Sequence, residues 1–171
     1  MAHYLIIGRS GTGKSTICRE LQARGVSAFD GDKVPGMARW IDLSNNQPIE
    51  ADYPGDDHIG KFDWDWDEQI LADLLKNNQH MFLCGNADNA LEFYPLFDKV
   101  FILDLPPESQ RQRIMARVEH DYGKDPMVQD HVIKAQGDLL ANAKALGAIP
   151  IDASPSATII VDLILEKIAT K

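Results

Sequence analysis

The chain has 171 residues with 44% hydrophobic and 25% charged content, enough for one soluble globular domain that buries roughly 70% of its unfolded surface. Its formal net charge is −9, and residues 41–75 alone hold ten acids against one base, Lys61, so the rest of the chain is neutral. No basic stripe is left to neutralise a nucleic-acid backbone, and no apolar run approaches the roughly eighteen residues of a membrane span.

MAHYLIIGRS opens the chain with an apolar run too short for a secretory signal. Within it HYLIIG (3–8) reads as a buried strand, followed by a helix over 14–24 that Gly25 stops. VSAFD (26–30) is a second, short strand. A helix over 66–77 precedes a third strand, HMFLCG (80–85), and KVFILDL (99–105) is the fourth and most apolar. Pro107 suits the first turn of a helix running to about Arg117. EHDYGKDP (119–126) is polar, with the glycine and proline of a loop. A helix over 128–145, a fifth strand AIPID (148–152) and a helix over 155–169 complete the chain. Strands alternating with helices predict an α/β fold: a parallel sheet covered on both faces, with ligands at the carboxyl ends of its strands. No repeat or linker divides residues 1–171, which predicts one domain. Cys18 and Cys84 sit in apolar contexts without metal-ligand spacing and read as reduced core thiols, as in a cytoplasmic protein.

Gly8-Arg9-Ser10-Gly11-Thr12-Gly13-Lys14-Ser15 fits G-x-x-x-x-G-K-[ST] at every fixed position, between an apolar strand and a helix. Glycines there let backbone N–H groups converge on phosphate oxygens, and the helix N-terminus adds partial positive charge. Lys14 reaches the β- and γ-phosphates, and the Ser15 hydroxyl, just before Thr16, can ligate Mg²⁺. The stretch predicts nucleoside triphosphate binding. At the end of the second strand stands Phe29-Asp30-Gly31-Asp32. Carboxylates at i and i+2 of an extended segment share a side. One can hold Mg²⁺ through water, and the other can accept or orient the proton of a substrate hydroxyl.

GRSGTGKST with FDGD on the next strand resembles the small P-loop kinases of the shikimate, gluconate and adenylylsulfate kinase group, relatives of adenylate kinase. The pattern is also similar to small bacterial P-loop proteins labelled only as ATPases. No N-K-x-D of guanine-specific proteins is present, and the chain is too short for a full AAA+ module with its helical lid domain. The resemblance implies a three-layer P-loop fold whose five parallel strands run in the order 2-3-1-4-5. It implies an acceptor-binding segment over 33–75 and a lid over 118–127. It assigns Asp30 to magnesium and Asp32 to the acceptor hydroxyl. It also implies that Arg117 packs on the adenine, with Arg113 sharing the work, and that Lys124 closes over the phosphates from the lid. The triple-glycine turn of shikimate kinases is replaced by CGNADN (84–89), and the aspartate of adenylate kinases near Cys84 is missing, so neither acceptor carries over. Gly85 and Asn86 still occupy a strand end where an amide can bond an acceptor.

Within 33–75, Arg39 is one of few cations, while Trp40, Trp64 and Trp66 offer flat apolar faces to a ring, a sugar or a cation. Carboxylates here repel an anionic acceptor, which favours a neutral or cationic alcohol. A second reading makes Asp65, Asp67 and Glu68 the cap and first turn of the helix over 66–77, with the tryptophans in the core. The expected activity is ATP- and Mg²⁺-dependent transfer of a phosphoryl group to a small-molecule hydroxyl, by a monomer or homodimer. Two alternatives stand beside it: a nucleoside or nucleotide kinase, and a nucleotide-binding regulatory ATPase whose partner docks on the acidic segment.

Overall fold

A computed structural model describes residues 1–169. Five strands form the central sheet: β1 (Ala2–Ile7), β2 (Ala28–Asp30), β6 (His80–Cys84), β7 (Lys99–Asp104) and β8 (Ile149–Asp152). They run in the order β2-β6-β1-β7-β8, every pairing parallel. In terms of the five expected strands this is 2-3-1-4-5.

Period-two alternation decides which side chain faces which layer. Leu5, Ile7, Leu83 and Ile102 point to one face, where α2 (Glu68–Asn77) and α4 (Pro126–Ala145) bury Leu71, Leu75, Leu139 and Ala143 against them. Ile6, Phe82, Phe101 and Leu103 point to the other face, covered by Ile17 and Leu21 of α1 (Lys14–Ala23) and Ile160, Val161 and Ile164 of α5 (Ala157–Ala169). The remaining helix, α3 (Pro107–Ala116), runs beneath the loop that follows β1 and buries Ile114 there. Cys18 and Cys84 are free thiols in the core. No helix among the described residues is long and apolar enough to cross a membrane.

The segment between β2 and α2 departs from expectation. It folds into a second, antiparallel sheet, in the order β4-β3-β5, from β3 (Ala38–Asp42), β4 (Gln47–Pro48) and β5 (Phe62–Trp66). The helix expected from 66 begins at Glu68. Phe62-Asp63-Trp64-Asp65-Trp66 alternates aromatic and acidic residues, a period of two that suits a half-buried strand. Asp67 is the helix N-cap, its side chain accepting the Ile70 N–H at 3.0 Å, and Glu68 occupies the first turn. Asp65 belongs to the strand, not to the cap. The cap reading of the acidic stretch therefore holds for Asp67 and Glu68 and fails for Asp65.

Candidate active site

The loop after β1 closes on itself before any ligand is considered. The Thr12 hydroxyl donates to the Arg9 carbonyl at 2.8 Å, and the Lys14 ammonium donates to the same oxygen at 3.1 Å. Gly11 and Gly13 hold φ of +84° and +104°, a region that favours glycine. A Cβ on Gly8 would lie 2.4 Å from Thr12 Oγ1, so the tight approach excludes one. Two buried glutamines fix the loop from outside. Gln136 of α4 accepts the Arg9 N–H at 2.7 Å and donates to Leu103 O at 2.7 Å, while Gln110 of α3 donates to Ser10 O at 2.8 Å. Burial holds the Lys14 ammonium below its usual range, partly offset by Asp32 and Asp30. A bound polyanion would remove that penalty.

Asp30 and Asp32 stand at the end of β2, opposite Lys14. Asp30 Oδ1 accepts the Asp32 N–H at 3.2 Å, and the Lys33 ammonium lies 3.6 Å from Asp30 Oδ2. Asp32 is exposed to the cavity. Desolvation pushes its carboxyl up, Lys14 pulls it down, and Asp30 adds to the rise. The Trp64 indole Nε1–H donates to Asp32 Oδ1 at 3.2 Å. Trp64 is in turn fixed by Asp88, whose Oδ2 accepts the Trp64 N–H at 2.8 Å and whose own N–H donates to Trp64 O at 2.7 Å. Asp88 Oδ1 pairs with Arg9 at 2.8 Å. A continuous set of bonds thus runs from the phosphate loop through Asp88 and Trp64 to Asp32.

Beyond the loop, Arg113 donates to Thr12 O at 3.3 Å and Ala153 O at 2.8 Å, and Arg117 to Ser10 Oγ at 2.9 Å and Tyr122 O at 2.6 Å. Lys124 lines the same cavity and pairs with Asp121 at 2.7 Å. His120, also in the cavity, is held below the usual imidazole range by burial and by Arg117, against the pull of Glu119 and Asp32.

One cavity of about 1960 Å³ takes in the loop from Gly8 to Thr16, both aspartates, Trp64, Asn86, Arg113, Arg117 and Lys124. Ligand pockets commonly run about 300–1,000 Å³, so it has room for a nucleotide and a second molecule. Two of the expected residues lie outside it. Arg39 forms an ion pair with the N-cap Asp67 and is not among the cavity's residues. Gly85 is also absent from the wall: a Cβ there would lie 3.0 Å from Trp66 Cζ2 and 3.4 Å from Gly31 Cα, so its smallness serves packing. Trp66 is core, 3% exposed and stacked on Phe93.

Other residues enter that sequence reasoning passed over. Pro155, Ser156 and Ala157 line the cavity beyond β8, a strand end where the carboxyl-end rule already pointed. Arg9, Asp88, Tyr53, His58 and Tyr122 line it too, and only Arg9 stood inside a recognised motif.

The donor set can be tested against the groups this fold would hold. Ser15, Asp30 and Asp32 offer hydroxyl and carboxylate oxygens to one cavity, the hard donors that Mg²⁺ takes. The glycine cradle that a Cβ would fill, with the half-buried Lys14 ammonium bonded to its Arg9 carbonyl, fits a triphosphate. The residues present fit both.

Strand order, loop and cavity define a P-loop nucleotide-binding α/β protein. The chain belongs to the AAA domain family, whose model matches residues 5–134. No curated protein sequence matches it. Among solved structures it is similar to the shikimate kinase from Acinetobacter baumannii in complex with shikimate, at 19% identity and TM-score 0.60, covering 99% of this chain and 94% of that one. It is similar to a gluconokinase from Sinorhizobium meliloti 1021, at 17% identity and TM-score 0.56, covering 98% and 91%. It is also similar to the deoxyadenosine kinase from M. mycoides with bound dATP, at 16% identity and TM-score 0.57, covering 98% and 99%.

Proposed function

We propose that the chain is an ATP- and Mg²⁺-dependent phosphotransferase that moves the γ-phosphoryl group to a hydroxyl of a neutral or cationic small molecule. The observation that carries this reading is the facing of Lys14 and Asp32 across one cavity, close enough to perturb each other's charge. A nucleotide-binding site needs the lysine. A crowded carboxylate held by an indole N–H, opposite the phosphate loop, is what an acceptor hydroxyl needs.

In this reading the whole chain works as one kinase domain, with 33–75 as acceptor segment and 118–127 as lid. Backbone N–H groups of Gly11 to Ser15 hold the triphosphate, with Thr16 beside them, and Lys14 stabilises charge on the transferring oxygens. Ser15 and Asp30 would hold Mg²⁺, which would supply positive charge to offset that of the phosphates. The acceptor oxygen forms its bond to the γ-phosphorus as the bond to the β–γ bridging oxygen breaks. ADP leaves, and the acceptor proton passes to Asp32. The elevated proton affinity of Asp32 suits that task. Arg113 and Arg117 support the loop and the base, and Lys124 turns from Asp121 to the phosphates when the lid closes and excludes water. Likeness to three small-molecule kinases supports the reading at the level of fold.

Asp32→Asn tests it. ATP affinity should stay within a few-fold of the parent, while acceptor-dependent ADP release falls about 10²–10⁴-fold, the usual worth of a general base. Unchanged turnover with a true acceptor would remove Asp32 from the role.

A further inference from the structure

Beside Asp32 the cavity is lined by rings. Trp40 lies 5.1 Å from Trp64 and 5.1 Å from His58, centroid to centroid, and Tyr53 lies 6.2 Å from Trp40 and 5.6 Å from Tyr122. The rings come from β3, β5, the loop over 52–60 and the lid, so four separate segments converge to build this wall. Their polar ends are already committed: Trp40 Nε1 donates to Asp52 O, Trp64 Nε1 to Asp32, the Tyr53 hydroxyl to Asp56, and His58 Nδ1 to Gly55 O. Tyr53 and Trp64 are the more open of these rings, while Trp40 and His58 are buried behind them.

Carboxylates flank this wall. Arg9 pairs with Asp88 at 2.8 Å, and Arg117 donates to Ser10 Oγ and Tyr122 O. Asp63, next to Trp64 and in the cavity wall, forms no ion pair among the described residues. Asn86 supplies an independent sign. It is 8% exposed, it lines the same cavity, and its amide Oδ1 has no hydrogen-bond partner. A buried acceptor oxygen left unpaired is costly, so it marks a place where a ligand's donor belongs.

These features discriminate between acceptors. An anion at this wall would meet Asp32, Asp63 and Asp88, with Arg9 already paired and Arg117 bonded to Ser10 Oγ and Tyr122 O. A neutral polyol would leave the Asp63 charge unanswered and the ring faces as mere apolar surface. A protonated nitrogen answers all three at once: its charge meets the carboxylate, its N–H groups reach the amide oxygen, and its positive surface lies against the ring faces.

We infer that the phosphate acceptor is an organic cation, an alcohol whose protonated nitrogen sits against Trp40, Trp64 and Tyr53 beside Asp63 and Asn86, with its hydroxyl at Asp32. This rests on the phosphotransferase reading for the hydroxyl's fate but not for the binding of the cation. Specificity would then be set by charge and ring contact at one end of the acceptor, and reactivity by Asp32 at the other.

The test uses the full chain with Mg²⁺-ATP and matched alcohols: amino sugars, aminocyclitols and phenylethanolamines, their neutral parents, and the corresponding acids. Binding is read from intrinsic tryptophan fluorescence, and turnover from ADP release. Cationic members should bind roughly tenfold or more tighter than their neutral parents and should alone drive ADP release. Asp63→Asn should erase most of that preference, with ATP affinity and thermal midpoint reporting that the variant is folded. Cations that bind with the expected preference, with no alcohol of any charge releasing ADP, would sustain the cation site and sink the phosphotransferase reading. ADP release by neutral or acidic members alone would sustain phosphoryl transfer and overturn the cation site. So would cation binding that Asp63→Asn leaves unchanged, or no binding by any cationic member.

Discussion

Trp64 and Trp66 stand two residues apart on one strand, and the structure gives them different work. Trp66→Ala removes a side chain that is 3% exposed, stacked on Phe93 with centroids 6.4 Å apart, and packed where Gly31 and Gly85 leave room for it. Emptying such a site costs about 3–5 kcal/mol. A chain of this size loses about 2–4 °C in thermal midpoint per kcal/mol, so a drop of ~6–20 °C is expected. Trp64→Phe keeps a ring in the cavity wall and removes only the bond to Asp32, a matter of about 1 kcal/mol or less for stability. Its effect should appear in acceptor-dependent turnover and in the pH dependence of that turnover, because the indole N–H favours the ionised form of Asp32. Thermal denaturation followed by circular dichroism, alongside ADP release, separates the two. A Trp66→Ala midpoint within about 3 °C of the parent, or equal losses for the two variants, would refute the division of core and cavity.

Three further outcomes follow from particular contacts. Desolvation, reinforced by Asp63 and Asp88, pushes the Asp65 carboxyl up to about 6, whereas an unfolded aspartate titrates near ~3.9. Between those values folding takes up a proton, so this group's contribution to stability falls as pH rises through the window. Asp65→Asn should therefore raise the thermal midpoint at pH 7–8 and converge with the parent near pH 4; equal gains at both pH values would contradict the assignment. Arg39→Ala should leave acceptor-dependent turnover within about twofold while lowering the thermal midpoint slightly through the lost pair with Asp67. Gly11→Ala places a Cβ 2.6 Å from Ile114 Cγ1 at a φ of +84°, so it should cost ~1–2 kcal/mol or more in denaturant titration and weaken ATP binding.

The parallel sheet was legible because each strand is a local apolar run and the phosphate loop is a contiguous motif whose chemistry is written in eight residues. The loop's supports were less so: nothing local marks Gln110 or Gln136 as its braces, since they lie about a hundred or more residues away in sequence. The antiparallel sheet was hidden for a related reason. Its pairing of Trp40 with Trp64 is non-local, and the acids of 63–68 carry both a strand alternation and a helix cap within six residues. Arg39 looked like an acceptor ligand because its partner, Asp67, is 28 residues away. Gly85 looked like a strand-end ligand because the ring it makes room for, Trp66, is invisible to a local reading. The ring wall gathers residues from 40 to 122, so only the folded chain assembles it.

The most direct test of the central claim follows the γ-phosphate itself. The chain is incubated with Mg²⁺ and ATP labelled at the γ-position, with and without the matched alcohols, and products are resolved by ³¹P NMR and chromatography. Phosphoryl transfer predicts a new phosphate ester formed one for one with ADP, dependent on a single class of alcohol. Label recovered only as inorganic phosphate, at a slow rate indifferent to every alcohol, would contradict it and make the protein a nucleotide-hydrolysing switch.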